Sequence, residues 1–222
     1  MTDPTLDTTT SPSLPKIAIL VSDEQHALQA LMNAQIHGNL GYVDMIISPS
    51  RDAEALARQY GVQFVLLPME KQLSPDQESA LLFLLRSHSI DLIIVAKFCA
   101  RISGVLLNSF PHQVIGVHHS LPFSAAAFER ELLAGVRLIS ARAFYLTTEI
   151  NQGPVICEEV LRRNLLEPVA ALRQRIQDAE SLCLIQAVRL HLQNRIAVDD
   201  SLCVISTLPM NVLPFPAVTR HD

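Results

Sequence analysis

Short apolar runs alternate with amphipathic or breaker-rich segments through the first half of the chain. Ile17-Ala18-Ile19-Leu20-Val21 is a continuous apolar strand. Ser22-Asp23 then offers an N-cap for a helix with apolar Ala27, Leu28, Leu31 and Met32, broken by Gly38, Asn39 and Gly41. Val43 to Ile47, Gln63 to Leu67 and Asp91 to Ala96 read as three further strands. Helices are predicted between them, near Asp52 to Tyr60 with Gly61 as C-cap, and from Ser74-Pro75 to about Leu85. A short helix over about Gly104 to Ser109 precedes a fifth strand, Val114-Ile115-Gly116-Val117.

The strands are apolar throughout rather than alternating, the pattern of strands covered on both faces. The expected architecture is α/β: a Rossmann-like, mostly parallel sheet with helices on both faces. Leu138 to Leu146 and Val155 to Val160 flank a turn at Asn151-Gln152-Gly153-Pro154 and are expected to pair as an antiparallel edge ribbon. A long helix over roughly Pro168 to Leu192 carries Leu172, Ile176, Leu182, Ile185, Val188 and Leu192 as its apolar face. Residues 1–15 read as a disordered polar leader, 16–198 as one domain, and 199–222 as a loosely packed, Pro-rich tail.

Composition narrows the classes. Of 222 residues, 49% are hydrophobic, 18% charged and only 5% aromatic, so aliphatic side chains must fill the core. A net charge of -5 gives no electrostatic case for a nucleic-acid partner. The 7 glycines include no GxGxxG turn, which weakens a nucleotide-binding reading. Cys99, Cys157, Cys183 and Cys203 are widely spaced without a CxxC, arguing against a zinc site or disulfide framework. With no signal-peptide or membrane-spanning pattern, the expectation is a soluble cytoplasmic protein. Its partner is expected to be a small-molecule substrate, with no membrane and no metal, and self-association through the ribbon and long helix is a further expectation.

The candidate chemistry lies where the fifth strand ends, in Gly116-Val117-His118-His119-Ser120-Leu121-Pro122. Ligand crevices of open parallel sheets lie outside the carboxyl ends of the strands. An imidazole there is well placed to move protons near neutral pH. The block His112 to Ser120, followed by Gly135-Val136-Arg137-Leu138 and by Glu149-Ile150-Asn151-Gln152-Gly153-Pro154-Val155-Ile156, resembles formyltetrahydrofolate deformylases. More distantly, it is similar to glycinamide ribonucleotide formyltransferase. The resemblance spans roughly Lys16 to Val198. It implies the formyltransferase fold and a 10-formyltetrahydrofolate or related substrate of one-carbon or biosynthetic metabolism. The N-terminal ACT domain usual in the deformylases is expected to be missing.

The same resemblance implies a catalytic set of Asn, His and Asp, of which this chain keeps one side chain. The His falls on His118, the Asn on Gly116 and the Asp on Asn151. A further family His falls on Phe144, and the stretch before Gly135 is three residues shorter than the deformylase pattern. Losing one oxyanion donor typically slows a reaction by roughly 10²–10³. The expected catalytic positions are therefore His118, Asn151 and Gly116, with Cys99, Arg101, Ile102, His119, Glu149 and Gly153 as substrate or folate contacts. Glu149, Glu129, Arg130, His119 or backbone N–H groups at Gly116 are candidate substitutes for the lost groups. Lys97 and Arg101 are candidates to receive an anionic group. Two other readings stay open: a homologue repurposed for different chemistry, and an inactive one that binds a ligand or a protein partner.

Overall fold

A computed structural model of the chain describes residues 14–22, 25–38, 40–68, 73–98, 101–122, 124–149, 153–199 and 202–205. Five parallel strands come first: β1 (Lys16–Val21), β2 (Tyr42–Ser48), β3 (Gln63–Leu66), β4 (Leu92–Ala96) and β5 (Val114–His119). Between them run α1 (Gln25–Ile36), α2 (Glu54–Tyr60), α3 (Pro75–Ser87) and α4 (Gly104–Ser109). Then follow α5 (Ala125–Leu133), β6 (Leu138–Tyr145), β7 (Val155–Arg162), α6 (Val169–Leu192), β8 (Ile196–Asp199) and β9 (Leu202–Ile205).

The seven-stranded sheet has the order β3-β2-β1-β4-β5-β6-β7, with β6 and β7 antiparallel. Both the mostly parallel sheet and its antiparallel edge ribbon thus match the pattern of the sequence. The order reverses between β1 and β4, and such a switch point opens a crevice above the carboxyl ends of those strands. Residues along a strand point alternately to its two faces. Ile17, Ile19 and Val21 of β1 therefore pack with α1 and α6, while Ala18 and Leu20 pack with α3 and α4.

Local signals explain several boundaries. Ser74 accepts from the Gln77 amide while the Gln77 side chain returns to the Ser74 amide, closing a capping box with Pro75 at the first turn. Gly61 stops α2 in the left-handed conformation, at φ 67°.

Three features differ from the sequence expectations. α5, which the alternation does not announce, starts at Ser124, whose side chain accepts from the Ala127 amide. Leu182, counted on the apolar face of α6, is 64% exposed, whereas Glu180 is 2% exposed. The expected loose tail contains a paired segment at its start: β8 and β9 form an antiparallel ribbon, Ile196 opposite Ile205, and Val198 and Cys203 pack on the core. The leader up to Ser13, the capping candidate Asp23, and residues 206–222 lie outside the described residues. No described helix is long and apolar enough to cross a membrane.

Candidate functional site

β5 lies between β4 and β6 and brings its last two side chains to the carboxyl edge of the sheet. Strand alternation sends these adjacent histidines to opposite faces. His118 shares a face with Gly116 and meets the edge of Phe144, ring centroids 4.9 Å apart. His119 turns toward α5 and α6, with Phe128 edge-on at 6.3 Å. His119 is therefore not a side-by-side substitute for groups missing around His118.

The half-buried His118 ring places Nδ1 3.0 Å from the His119 carbonyl oxygen. A carbonyl can only accept, so Nδ1 carries the proton, and in the neutral ring Nε2 is the basic nitrogen. Around Gly116 the space is filled. A Cβ at this position would collide with Leu146 Cδ1 and lie 3.7 Å from Phe144 Cζ. Gly116 is paired with Val95 on one side and Phe144 on the other, so its amide belongs to the ladder. That leaves no backbone donor there to replace an amide side chain, contrary to the sequence expectation.

The other expected positions divide. Ile102 is buried with α3 and α4. Arg101 is exposed and donates to the Thr148 carbonyl at 3.4 Å. Glu149 is exposed, and its carbonyl accepts from the Thr147 hydroxyl. Glu129 and Arg130 face solvent on α5. Gly153 is buried where any Cβ would run into the Tyr145 carbonyl, so it is needed for close approach of the ribbon strands. Asn151 and Cys99 lie outside the described residues.

On the His119 face, a small cavity of about 70 Å³ is lined by Lys97, His119, Phe128, Arg173, Ile176 and Gln177. Lys97 follows β4 with φ 49°, beside the switch point, and its Nζ sits 3.1 Å from Glu180 Oε2. The Arg173 guanidinium lies 4.0 Å over the Phe128 ring. Burial above all, and then the charge of Lys97, pull the His119 pKa down to about 4, with His118 and Arg173 adding to this and the Leu121 backbone opposing. His119 is thus neutral at pH 7, and the fixed positive charge of the cavity comes from Lys97 and Arg173. Among the described residues no three His, Cys, Asp or Glu side chains group to hold a metal ion.

Phe128, Arg173, Gln177 and Glu180 were not apparent as site residues from the sequence. Glu180 had a readable signal. It falls in register with Ile176, Ala179, Cys183, Leu184 and Ala187, the buried stripe of α6, where a carboxylate needs a partner.

The lowered His119 pKa has a stability consequence. The unfolded chain takes up this proton near pH 6.5 and the folded chain only near pH 4, so the stabilising difference is full above pH 6.5 and lost as pH falls toward 4. His191, whose burial also lowers its pKa, acts in the same direction. Between pH 7 and 5 the wild-type melting temperature is expected to fall. His119→Gln should flatten that slope by about 1 kcal/mol, a figure reduced for the ring's partial exposure. An unchanged slope in thermal melts would contradict the assignment.

Comparison with known proteins places this geometry. The profile of the formyl transferase family matches residues 15–188. A formyltetrahydrofolate deformylase of Synechocystis sp. is 36% identical over 199 residues, covering 88% of this chain and 70% of that protein. The crystal structure of a formyltetrahydrofolate deformylase from Pseudomonas putida KT2440 superposes with a TM-score of 0.82 at 27% identity, over 89% of this chain and 72% of that one. Glycinamide ribonucleotide transformylase 1 from Symbiobacterium toebii superposes at 0.77 with 26% identity, over 86% of this chain and 94% of that one.

Proposed function

Because this chain belongs to the formyl transferase family, we propose that it acts on the formyl group of 10-formyltetrahydrofolate or a related donor, with His118 as acid/base. The orientation of His118 carries the reading. Its Nδ1–H is held by the His119 carbonyl, and Nε2 is left to take a proton at the carboxyl edge of the sheet. In hydrolysis, Nε2 removes a proton from water as the oxygen adds to the formyl carbon. The tetrahedral centre then collapses with cleavage of the C–N bond, and the imidazolium returns the proton to the leaving nitrogen. In transfer, an amine replaces water in the same scheme. Across the strand end, on the His119 face, Arg173 in the cavity lining suits an anionic group on the substrate, while the Lys97 charge is matched by Glu180.

Saturating tetrahydrofolate, at about 100 times its Kd, should raise the melting temperature by roughly 5–10 °C. His118→Ala should keep that shift and lose turnover of 10-formyltetrahydrofolate by about 10²–10³, while Phe83→Ser, 75% exposed on α3, should retain it. Absence of any shift with the folate removes the substrate assignment. A second reading is favoured by the packing of Leu146 and Phe144 over Gly116, which closes the place of an oxyanion donor. On that reading the chain binds the folate without turning it over, and wild type shows the shift but no formate release.

A further inference from the structure

Cys157 on β7 and Cys183 on α6 face each other between the edge ribbon and the long helix. The Cys157 Sγ lies 2.9 Å from the carbonyl oxygen of Cys183, 26 residues on in the chain. The Cys183 Sγ in turn lies 3.4 Å from the Ala141 carbonyl on β6, so both sulfurs sit in the same layer. Cys183 is 3% exposed, Cys157 is half-buried, and both are free thiols. The formyl chemistry uses neither.

We propose that Cys157 and Cys183 are an oxidisable pair that a peroxide converts to a disulfide, tying α6 to the edge ribbon. The half-buried Cys157 is the entry point, because a thiol must be reached by the oxidant before it reacts. The neighbouring Cys183 side chain holds the Cys157 pKa below its ordinary value, and the same neighbour together with burial pushes Cys183 up. The thiolate of Cys157 attacks the peroxide: an S–O bond forms, the O–O bond breaks, and hydroxide leaves to become water. The sulfur of Cys183 then attacks the Cys157 sulfenic acid. An S–S bond forms, the S–O bond breaks, and water departs with the Cys183 proton. Two thiols are oxidised by two electrons while one hydrogen peroxide is reduced to two waters.

The new bond would close a loop between positions that already touch in the folded state, so the restriction falls mainly on the unfolded chain. It also sits one helical turn beyond Glu180, the partner of Lys97. Dilute hydrogen peroxide added to the full chain should remove the mass of two hydrogens per molecule. Non-reducing peptide mapping should show Cys157 joined to Cys183, and the melting temperature should rise by roughly 5–10 °C and return on reduction with dithiothreitol. Cys157→Ser should abolish both the mass loss and the shift, whereas Cys203→Ser should keep them. The mapping needs no variant, so it decides the matter even if Cys183→Ser fails to fold. Linkage through another cysteine, a link between two molecules, or Cys157 oxidised to sulfinic acid with Cys183 still free would each overturn the proposal.

Discussion

Lys97→Met is expected to destabilise the fold by about 3–5 kcal/mol, at the lower end of that range because Lys97 is partly exposed. Met nearly preserves the length and packing of the lysine stem, so the change removes mainly the charge. Glu180 has a side chain only 3% exposed, and its carboxylate would be left deep in the α6 layer without its cation. Desolvated charges of this kind are tolerated only with a close partner. The double variant Lys97→Met with Glu180→Gln should recover most of the loss, since removing both members of a buried pair is often nearly neutral. Chemical denaturation of wild type, Lys97→Met, Glu180→Gln and the double variant measures this coupling. A loss under about 1 kcal/mol in the single variant would show that the pair behaves as a surface ion pair and does not hold α6 to β4.

Introducing an amide by Gly116→Asn, at the position where the resemblance implies one, should also be severely destabilising, by about 3–5 kcal/mol. Overpacking typically costs roughly 1–3 kcal/mol, and burying an amide without partners adds about as much again. The obstacle is specific: the new Cβ runs into Leu146 Cδ1. Leu146→Ala alone should cost about 2 kcal/mol, as a half-buried leucine. Together the two changes should be less harmful than their sum by at least about 1 kcal/mol, because the alanine empties the space that the asparagine needs. If the proposed formyl chemistry holds, the double variant should also turn over 10-formyltetrahydrofolate faster than wild type, having regained an oxyanion donor. Strict additivity in urea melts would mean that Leu146 is not what closes the position.

The strands were legible because they are covered on both faces, which writes Ile17 to Val21 and Leu92 to Ala96 as unbroken apolar runs. The ribbon was legible from the Gly153-Pro154 turn between two largely apolar stretches, Leu138 to Leu146 and Val155 to Val160. α5 was not. Its run Ala125-Ala126-Ala127 has little amphipathic contrast, and only the Ser124 cap with Phe128 and Leu132 marks it. At the carboxyl edge of β5 the motif places His118, and the sequence offers no side chain at Gly116. That Leu146 and Phe144 fill the vacated space depends on the register of β6 against β5, which a single sequence does not state. Leu182 faces solvent on α6 where the apolar pattern puts it inside, and Glu180 is buried. The six apolar positions spread over roughly two-thirds of the helix circumference, and the stripe that packs runs through Ala179, Cys183 and Ala187, whose small side chains let the helix approach the sheet.

The order in which the chain leaves the ribosome gives the position of α6 a further meaning. Ile17, Ile19 and Val21 are made well before the helix that supplies part of their cover, which ends at Leu192. At synthesis rates of roughly 5–20 residues per second, that flank of the nascent sheet stays uncovered for about ten seconds or longer. Chaperone capture during elongation therefore has a defined target here, the aliphatic flank that waits for α6.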